Sequence, residues 1–185
     1  MGNKLNIFII FVLILGFTSC KKAETEPKIT QPNYTNVEIP TFNADSAYSY
    51  VKAQCDFGPR TPMSKASQLC GDYRINFMKQ YADTVYVQTF SSKLWDGTNV
   101  EGRNIIASFN PQASDRVVLA AHWDSRLWAD EDPNEENHKK AIDGANDGAS
   151  GVGVLMEIAR VFRQKENSQG VDIVFFDLED QGTPS

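Results

Sequence analysis

Histidine is scarce in this chain: its 185 residues include only His122 and His138. That excludes a metal cage built mainly of imidazoles within these residues, so any metal here must rely on carboxylates. Positive charge is also short. The 18 Lys and Arg are outnumbered by 24 Asp and Glu, for a formal net charge of -6. No basic stripe is available to neutralise phosphates, which argues against a nucleic-acid partner. There is no glycine-rich nucleotide fingerprint and no internal repeat. Only three cysteines occur: Cys20, Cys55 and Cys70. One long apolar run exists, Ile7 to Gly16, and it is too short to span a bilayer with ordinary flanks.

That run belongs to a leader. Lys4 supplies a positive start, the apolar stretch follows, and Phe17-Thr18-Ser19-Cys20 closes it with small residues and a cysteine. Residues 1–19 thus read as a lipoprotein signal peptide, with Cys20 as the lipidated first residue of the mature protein. A plain signal peptide with an accidental cysteine is the alternative. Residues 20–40 are rich in Lys, Glu, Thr and Pro and read as a flexible tether. The expectation is an exported, membrane-anchored lipoprotein of the periplasm or cell envelope. In such an oxidising compartment Cys55 and Cys70, separated by a turn at Gly58, Pro59 and Pro62, either pair as a disulfide or stay as two buried thiols.

The folded part, residues 41–185, opens with two helical patterns. Asn43 to Phe57 carries a cap-type residue at its start (Asn43 or Asp45) and spaces Ala47, Tyr50 and Val51 on one side. Lys65 to Tyr81 groups Leu69, Tyr73, Phe77 and Met78. The period then changes. Thr84 to Phe90, Asn104 to Phe109 and Arg116 to Ala121 read as strands, the third continuously apolar as if covered on both faces. Ser150 to Arg163 returns to helical spacing, and Val171 to Phe176 is again a strand. Strand, helix, strand with buried strands predicts an α/β three-layer sandwich, its central sheet mixed and partly parallel and flanked by helices. The chain stops nine residues after that strand, at Ser185. A sheet ending there lacks a later helix to cover it, so the expectation is the front portion of a longer domain. A small complete domain is the alternative.

Three polar clusters follow these elements: His122-Trp123-Asp124-Ser125 after the third strand, Asp143 to Gly151 before the helix, and Asp177-Leu178-Glu179-Asp180 after the later strand. Ligands of open α/β sheets bind beyond the carboxyl ends of strands, so the three can share one cleft. His122 and Asp124 lie two apart, a spacing that lets the carboxylate fix the imidazole tautomer. Asp147 sits among Gly144, Ala145, Gly148 and Ala149, which allow close approach of backbone and ion; alone it would be a helix cap. Glu179 and Asp180 are adjacent, so one can ligate a metal while the other faces substrate; alone such a pair is solvated surface. Trp123 and Trp128 either wall a pocket or pack. The acidic loop Asp130 to Lys140, with Asp130, Glu131, Asp132, Glu135 and Glu136, reads as a solvated loop rather than a calcium cage.

Together the motifs His-x-Asp-Ser, Gly-Ala-Asn-Asp-Gly-Ala-Ser-Gly and Phe-Phe-Asp-x-Glu-Asp resemble the co-catalytic zinc aminopeptidase superfamily, which includes the animal-type glutaminyl-peptide cyclotransferases. Ala121 to Arg126 with Trp128-Ala129-Asp130, Phe57-Gly58-Pro59-Arg60 and Cys70-Gly71-Asp72-Tyr73 are similar to the bacterial members of that cyclase branch. The similarity runs from about Asp45 to the last residue. It implies that Asp147 and Asp180 are Zn2+ ligands and Glu179 the general acid/base. It implies a further zinc histidine and a second catalytic acid beyond Ser185.

The implied reaction is conversion of an N-terminal glutamine to pyroglutamate with loss of ammonia, on peptides or proteins with a free N-terminus. One zinc would suffice. Glu179 would need a raised pKa, as expected in a dry cleft beside Phe175, Phe176 and Leu178. The competing reading is a metallo-aminopeptidase with two zincs, Asp147 shared and His122 holding the second. A third is a lipid-anchored binding protein without activity.

Overall fold

The computed structural model describes residues 38–164 and 169–183. The leader (1–19), Cys20 and most of the tether lie outside the described residues. Among the described residues no helix is long and apolar enough to cross a membrane. All elements below belong to the unit Ile39–Ser185.

The chain opens with helices α1 (Ala44–Asp56) and α2 (Lys65–Met78). Each starts where a side chain satisfies an orphan backbone donor. Asn43 Oδ1 accepts from Ser46 N at 2.9 Å, and Ser64 Oγ accepts from Ser67 N at 3.0 Å. Strands β1 (Thr84–Lys93), β2 (Asn99–Phe109) and β3 (Arg116–His122) follow. A wide turn at Ala145–Ser150 leads into helix α3 (Gly151–Phe162), and strand β4 (Gly170–Phe176) closes the series. The sheet order is β1-β2-β4-β3. β2 runs antiparallel to both β1 and β4, while β3 and β4 are parallel, joined through α3. Among the described residues the sheet is therefore mixed, four-stranded and flanked by helices, as the alternating patterns predict.

Register explains the core. Ile105, Ala107 and Phe109 of β2 pair with Phe175, Ile173 and Val171 of β4, so one face carries an unbroken apolar patch. Met156 and Val152 of α3 cover it, both fully buried. The opposite face is different. Asp172 accepts from Ser108 Oγ at 2.5 Å and from Arg116 Nε at 2.9 Å, so a polar network occupies the middle of an apolar strand.

β3 corrects one expectation. It is the edge strand, and Val117 and Val118 are 40% and 63% exposed. Its continuous apolar run thus does not mean burial on both faces among the described residues. The expected disulfide is absent, and of the two thiols only Cys70 is buried. Cys55 and Cys70 are free thiols. Cys55 Sγ faces the Asp143 carbonyl at 3.9 Å, whereas Cys70 is fully buried and burial pushes its thiol pKa up.

Helix α3 fixes α1 in two ways. Buried Glu157 accepts from Asn43 N at 2.8 Å while pairing with Arg160 at 2.5 Å. Gly153 lets the two helices touch: a Cβ there would lie 2.7 Å from Val51 Cγ2 and 2.9 Å from the Ala47 carbonyl oxygen. Neither neighbour is the far end of a flexible side chain. Gly153→Val should therefore lower unfolding stability by about 2 kcal/mol or more, read from the urea midpoint. An unchanged or raised midpoint would contradict the close crossing.

Candidate active site

β3 and β4 run in parallel and end side by side, with His122 opposite Phe176. The ladder continues one step further, Trp123 N donating to the Phe176 carbonyl at 2.9 Å. The polar residues that follow both strands consequently emerge at one end of the sheet.

Asp124 is the fixed point of this end. It is fully buried. Its Oδ1 accepts from Glu179 N at 3.1 Å, and its Oδ2 accepts from Asp180 N at 3.1 Å and Gln181 Nε2 at 2.8 Å. Burial pushes its pKa up, but His122, Gln181 and the two backbone donors outweigh that and hold it below the usual carboxylate range. The loop after β4 is thus draped over the carboxylate that follows β3.

The same loop contains Leu178 at φ 63, a conformation rare for a branched side chain. Three contacts hold it. Asp177 Oδ1 accepts from Leu178 N at 3.0 Å, Asn104 Oδ1 accepts from Asp177 N at 3.0 Å, and the Leu178 side chain lies over Gly102, where a Cβ would sit 2.9 Å from its Cδ1. This bend separates the two carboxylates of the pair. Glu179 points outward toward His122, whereas Asp180 folds back toward Arg126.

His122 is the meeting point. Nε2 lies 2.8 Å from Asp147 Oδ1, and Nδ1 lies 3.5 Å from Asp124 Oδ1 and 3.8 Å from Glu179 Oε2. The Nδ1 contacts are electrostatic, since no well-formed hydrogen bond reaches this buried nitrogen. Asp124 first, then Asp147 and Glu179, raise the imidazole pKa to about 9 against the opposing effect of burial. Asp147 reaches the ring because its backbone is extended (φ -101, ψ 103) inside an otherwise helical turn. Two glycines permit this. Gly144 is left-handed at φ 55, and a Cβ on Gly148 would lie 2.8 Å from His122 Cε1.

The donor set suits a divalent cation. Asp147 and Asp180 offer oxygens and His122 a nitrogen, the ligand types zinc takes. Asp180 Oδ2 is buried without a hydrogen-bond partner, an acceptor that a cation would satisfy. Burial, then Asp147 and Asp124, push the Asp180 pKa up, outweighing the opposing effect of Arg126 and His122. Among the described residues no three such side chains already converge at ligating distance. His122 and Asp147 bond each other, and Asp180 leans on Arg126.

Comparisons with known proteins accord with this arrangement. Residues 104–184 match the model of Peptidase family M28. Over those residues the chain is similar to an M28 peptidase domain. Three solved structures are about half identical to it. Tannerella forsythia glutaminyl cyclase is 51% identical at TM-score 0.77, with 79% of this chain covered. A Zn-dependent exopeptidase from Parabacteroides distasonis is 52% identical at TM-score 0.79, with 80% covered. Bacteroides thetaiotaomicron glutaminyl cyclase bound to N-acetylhistamine is 49% identical at TM-score 0.79, with 80% covered. The chain spans 50%, 51% and 51% of those structures, respectively. It spans 32% and 39% of the first two curated relatives that it matches.

The three polar clusters bring His122, Asp124, Asp147, Glu179 and Asp180 to one end of the sheet. Trp123 does not join them as a pocket wall. It is fully buried, its Nε1 donates to the Arg103 carbonyl at 3.1 Å, and the Arg74 guanidinium lies 4.6 Å from its ring centroid. Trp128 does line a cavity of about 410 Å³ beside the site, together with Ile142, Asp130 and Asp147. The side chain of Glu179 is 63% exposed, so the dry cleft expected from Phe175 and Phe176 is not formed among the described residues. Phe175 points into the core and Phe176 is itself exposed.

Three positioning residues escape sequence reasoning. Gln181 ties Asp124 to the Ser125 carbonyl. Fully buried Arg60 donates to the carbonyls of Trp123, Asp143 and Gly144, stapling the Asp147 loop to the strand end. Arg126 bridges the loops that follow β3 and β4. For Arg60, the only signal was its place in Phe57-Gly58-Pro59-Arg60; a buried arginine has no periodic signature.

Asp177 supplies a pH test. Burial raises its pKa to about 6, well above the ordinary aspartate range. A carboxyl raised in the fold favours the folded state when protonated. That contribution is complete below about pH 4 and is lost as pH rises through about 6. Asp177→Asn removes the titration. The stability of the wild type minus that of Asp177→Asn, measured in urea with chelator present, should therefore fall by about 1–3 kcal/mol between pH 4 and pH 7. A difference that stays constant with pH would refute the assignment.

Proposed function

We propose that this domain is part of a zinc-dependent glutaminyl-peptide cyclotransferase. The observation that carries the reading is the divergence of Glu179 and Asp180. One carboxylate is exposed beside His122, free to handle protons, while its neighbour is half-buried and suited to a cation. Two of the three structures described above, at 51% and 49% identity, are glutaminyl cyclases.

Asp147 and Asp180 would hold the zinc. Zinc, when bound, supplies Lewis-acid polarisation of the glutamine γ-carboxamide. The residues of this chain perform the remaining tasks. Glu179 accepts a proton from the substrate α-amine as its nitrogen attacks the carboxamide carbonyl carbon, Cδ. Glu179 then delivers that proton to the departing ammonia as the C–N bond of the carboxamide breaks. Nucleophile and electrophile belong to one residue, so the cyclisation needs orientation rather than capture of a second reactant. Asp124 keeps the Glu179 backbone in place during both transfers. The cavity bordered by Trp128 and Asp147 offers room for the substrate.

A metallo-aminopeptidase is the second reading. It is favoured by the Zn-dependent exopeptidase at 52% identity and by the proximity of His122 to Asp147, which suits a shared pair of metals. A peptide beginning with glutamine separates the two. The cyclase reading expects ammonia release with the peptide otherwise intact, and Glu179→Gln should lose roughly 100-fold or more in kcat while keeping its zinc. Release of free amino acid, or full activity in Glu179→Gln, would overturn it.

A further inference from the structure

We propose that Arg126 is the positioning residue that holds Asp180 ready for its metal, with Asp130 holding the guanidinium in turn. The inference rests on the zinc site proposed above and goes beyond it by assigning a role to two residues that do not ligate.

The contacts form a chain from the cavity wall to the candidate ligand. Arg126 Nε donates to Asp130 Oδ1 at 2.7 Å, and Nη2 donates to Asp130 Oδ2 at 2.5 Å. This is a bidentate fork, the geometry that fixes both planes at once. Asp130 is only 7% exposed at its side chain, so the fork sits largely out of water. The free edge of the guanidinium presents Nη1 to Asp180 Oδ1 at 3.6 Å. Nη2 also reaches the Thr183 carbonyl at 3.3 Å, pinning the chain beyond Asp180. The backbone of Arg126 takes part as well, its carbonyl accepting from Ile142 N at 3.3 Å near the start of the Asp147 loop. One residue thus touches all three segments whose carboxylates the site needs.

Shape and charge predict opposite outcomes here. As a bare charge, Arg126 would repel a dication and compete for Asp180, so removing it would tighten metal binding. As a positioning device, it keeps Asp180 Oδ1 engaged while Oδ2 stays without a partner, and removing it would loosen binding. The fork favours the second, because Asp130 already offsets the guanidinium charge while leaving its geometry intact. A lysine cannot reproduce this, since one ammonium has no planar fork to span two carboxylates.

The test is zinc affinity of the full chain, measured by competition with a chelator and without reference to turnover. Arg126→Gln and Arg126→Lys should both weaken zinc binding, by about 10–100-fold. Asp130→Asn, which leaves the arginine in place, should weaken it in the same direction. The double variant Arg126→Gln/Asp130→Asn should be no worse than Arg126→Gln alone, because the two act as one unit. Thermal unfolding of the zinc-free proteins controls for misfolding; Asp130→Asn is the milder variant should Arg126→Gln fail to fold. Zinc affinity unchanged within twofold, or tightened, in Arg126→Gln or Asp130→Asn would overturn the inference while leaving the zinc site standing. A wild-type chain that binds no zinc would instead overturn the site itself, and this role with it.

Discussion

One buried carboxylate organises the active end of this molecule. Asp124 follows β3, is shut off from water, and receives the backbone N–H groups of Glu179 and Asp180 and the side chain of Gln181. A buried charge is tolerated only when its lone pairs are filled, and the loop after β4 fills them. The loop therefore has little choice of path. That constraint, rather than any direct contact between the two carboxylates themselves, sets where Glu179 and Asp180 point.

From there the site assembles by small allowances. Leu178 accepts a strained backbone so that adjacent side chains diverge, and Gly102 leaves it space. Gly144 and Gly148 let Asp147 lie against the His122 ring. Buried Arg60 gathers the carbonyls of the Asp147 loop, and Arg126 joins that loop's start to Asp180. Strain and buried arginines cluster where negative side chains must be kept close together, a common cost of a functional site.

Much of this was legible in the residues. The helical and strand periods located every main element of the described residues, and Asn43, one of two cap candidates, marks the first helix start, whereas the cap at Ser64 emerges only from the structure. The three polar clusters were placed at one sheet end by topology alone, because β3 and β4 are parallel and β4 follows the connecting helix. Other features were hidden for physical reasons. An apolar strand reads the same whether its second face is covered or open, so the exposure of Val118 could not be seen. A tryptophan beside a site looks like a pocket wall until its ring is found over Arg74. Cys55 and Cys70 sit at a spacing that allows pairing, and only coordinates show one facing Asp143 and the other sealed in the core.

The similarity of this arrangement to both a glutaminyl cyclase and a Zn-dependent exopeptidase is intelligible on these terms. The strand ends and the buried aspartate build a platform for carboxylates, and the chemistry depends on what is presented to it. The platform itself is most directly tested at single amides. Hydrogen exchange at Glu179 N and Asp180 N should be roughly 10-fold or more faster in Asp124→Asn than in the wild type, with β2 amides unchanged. Equal protection of those two amides in both proteins would contradict the account.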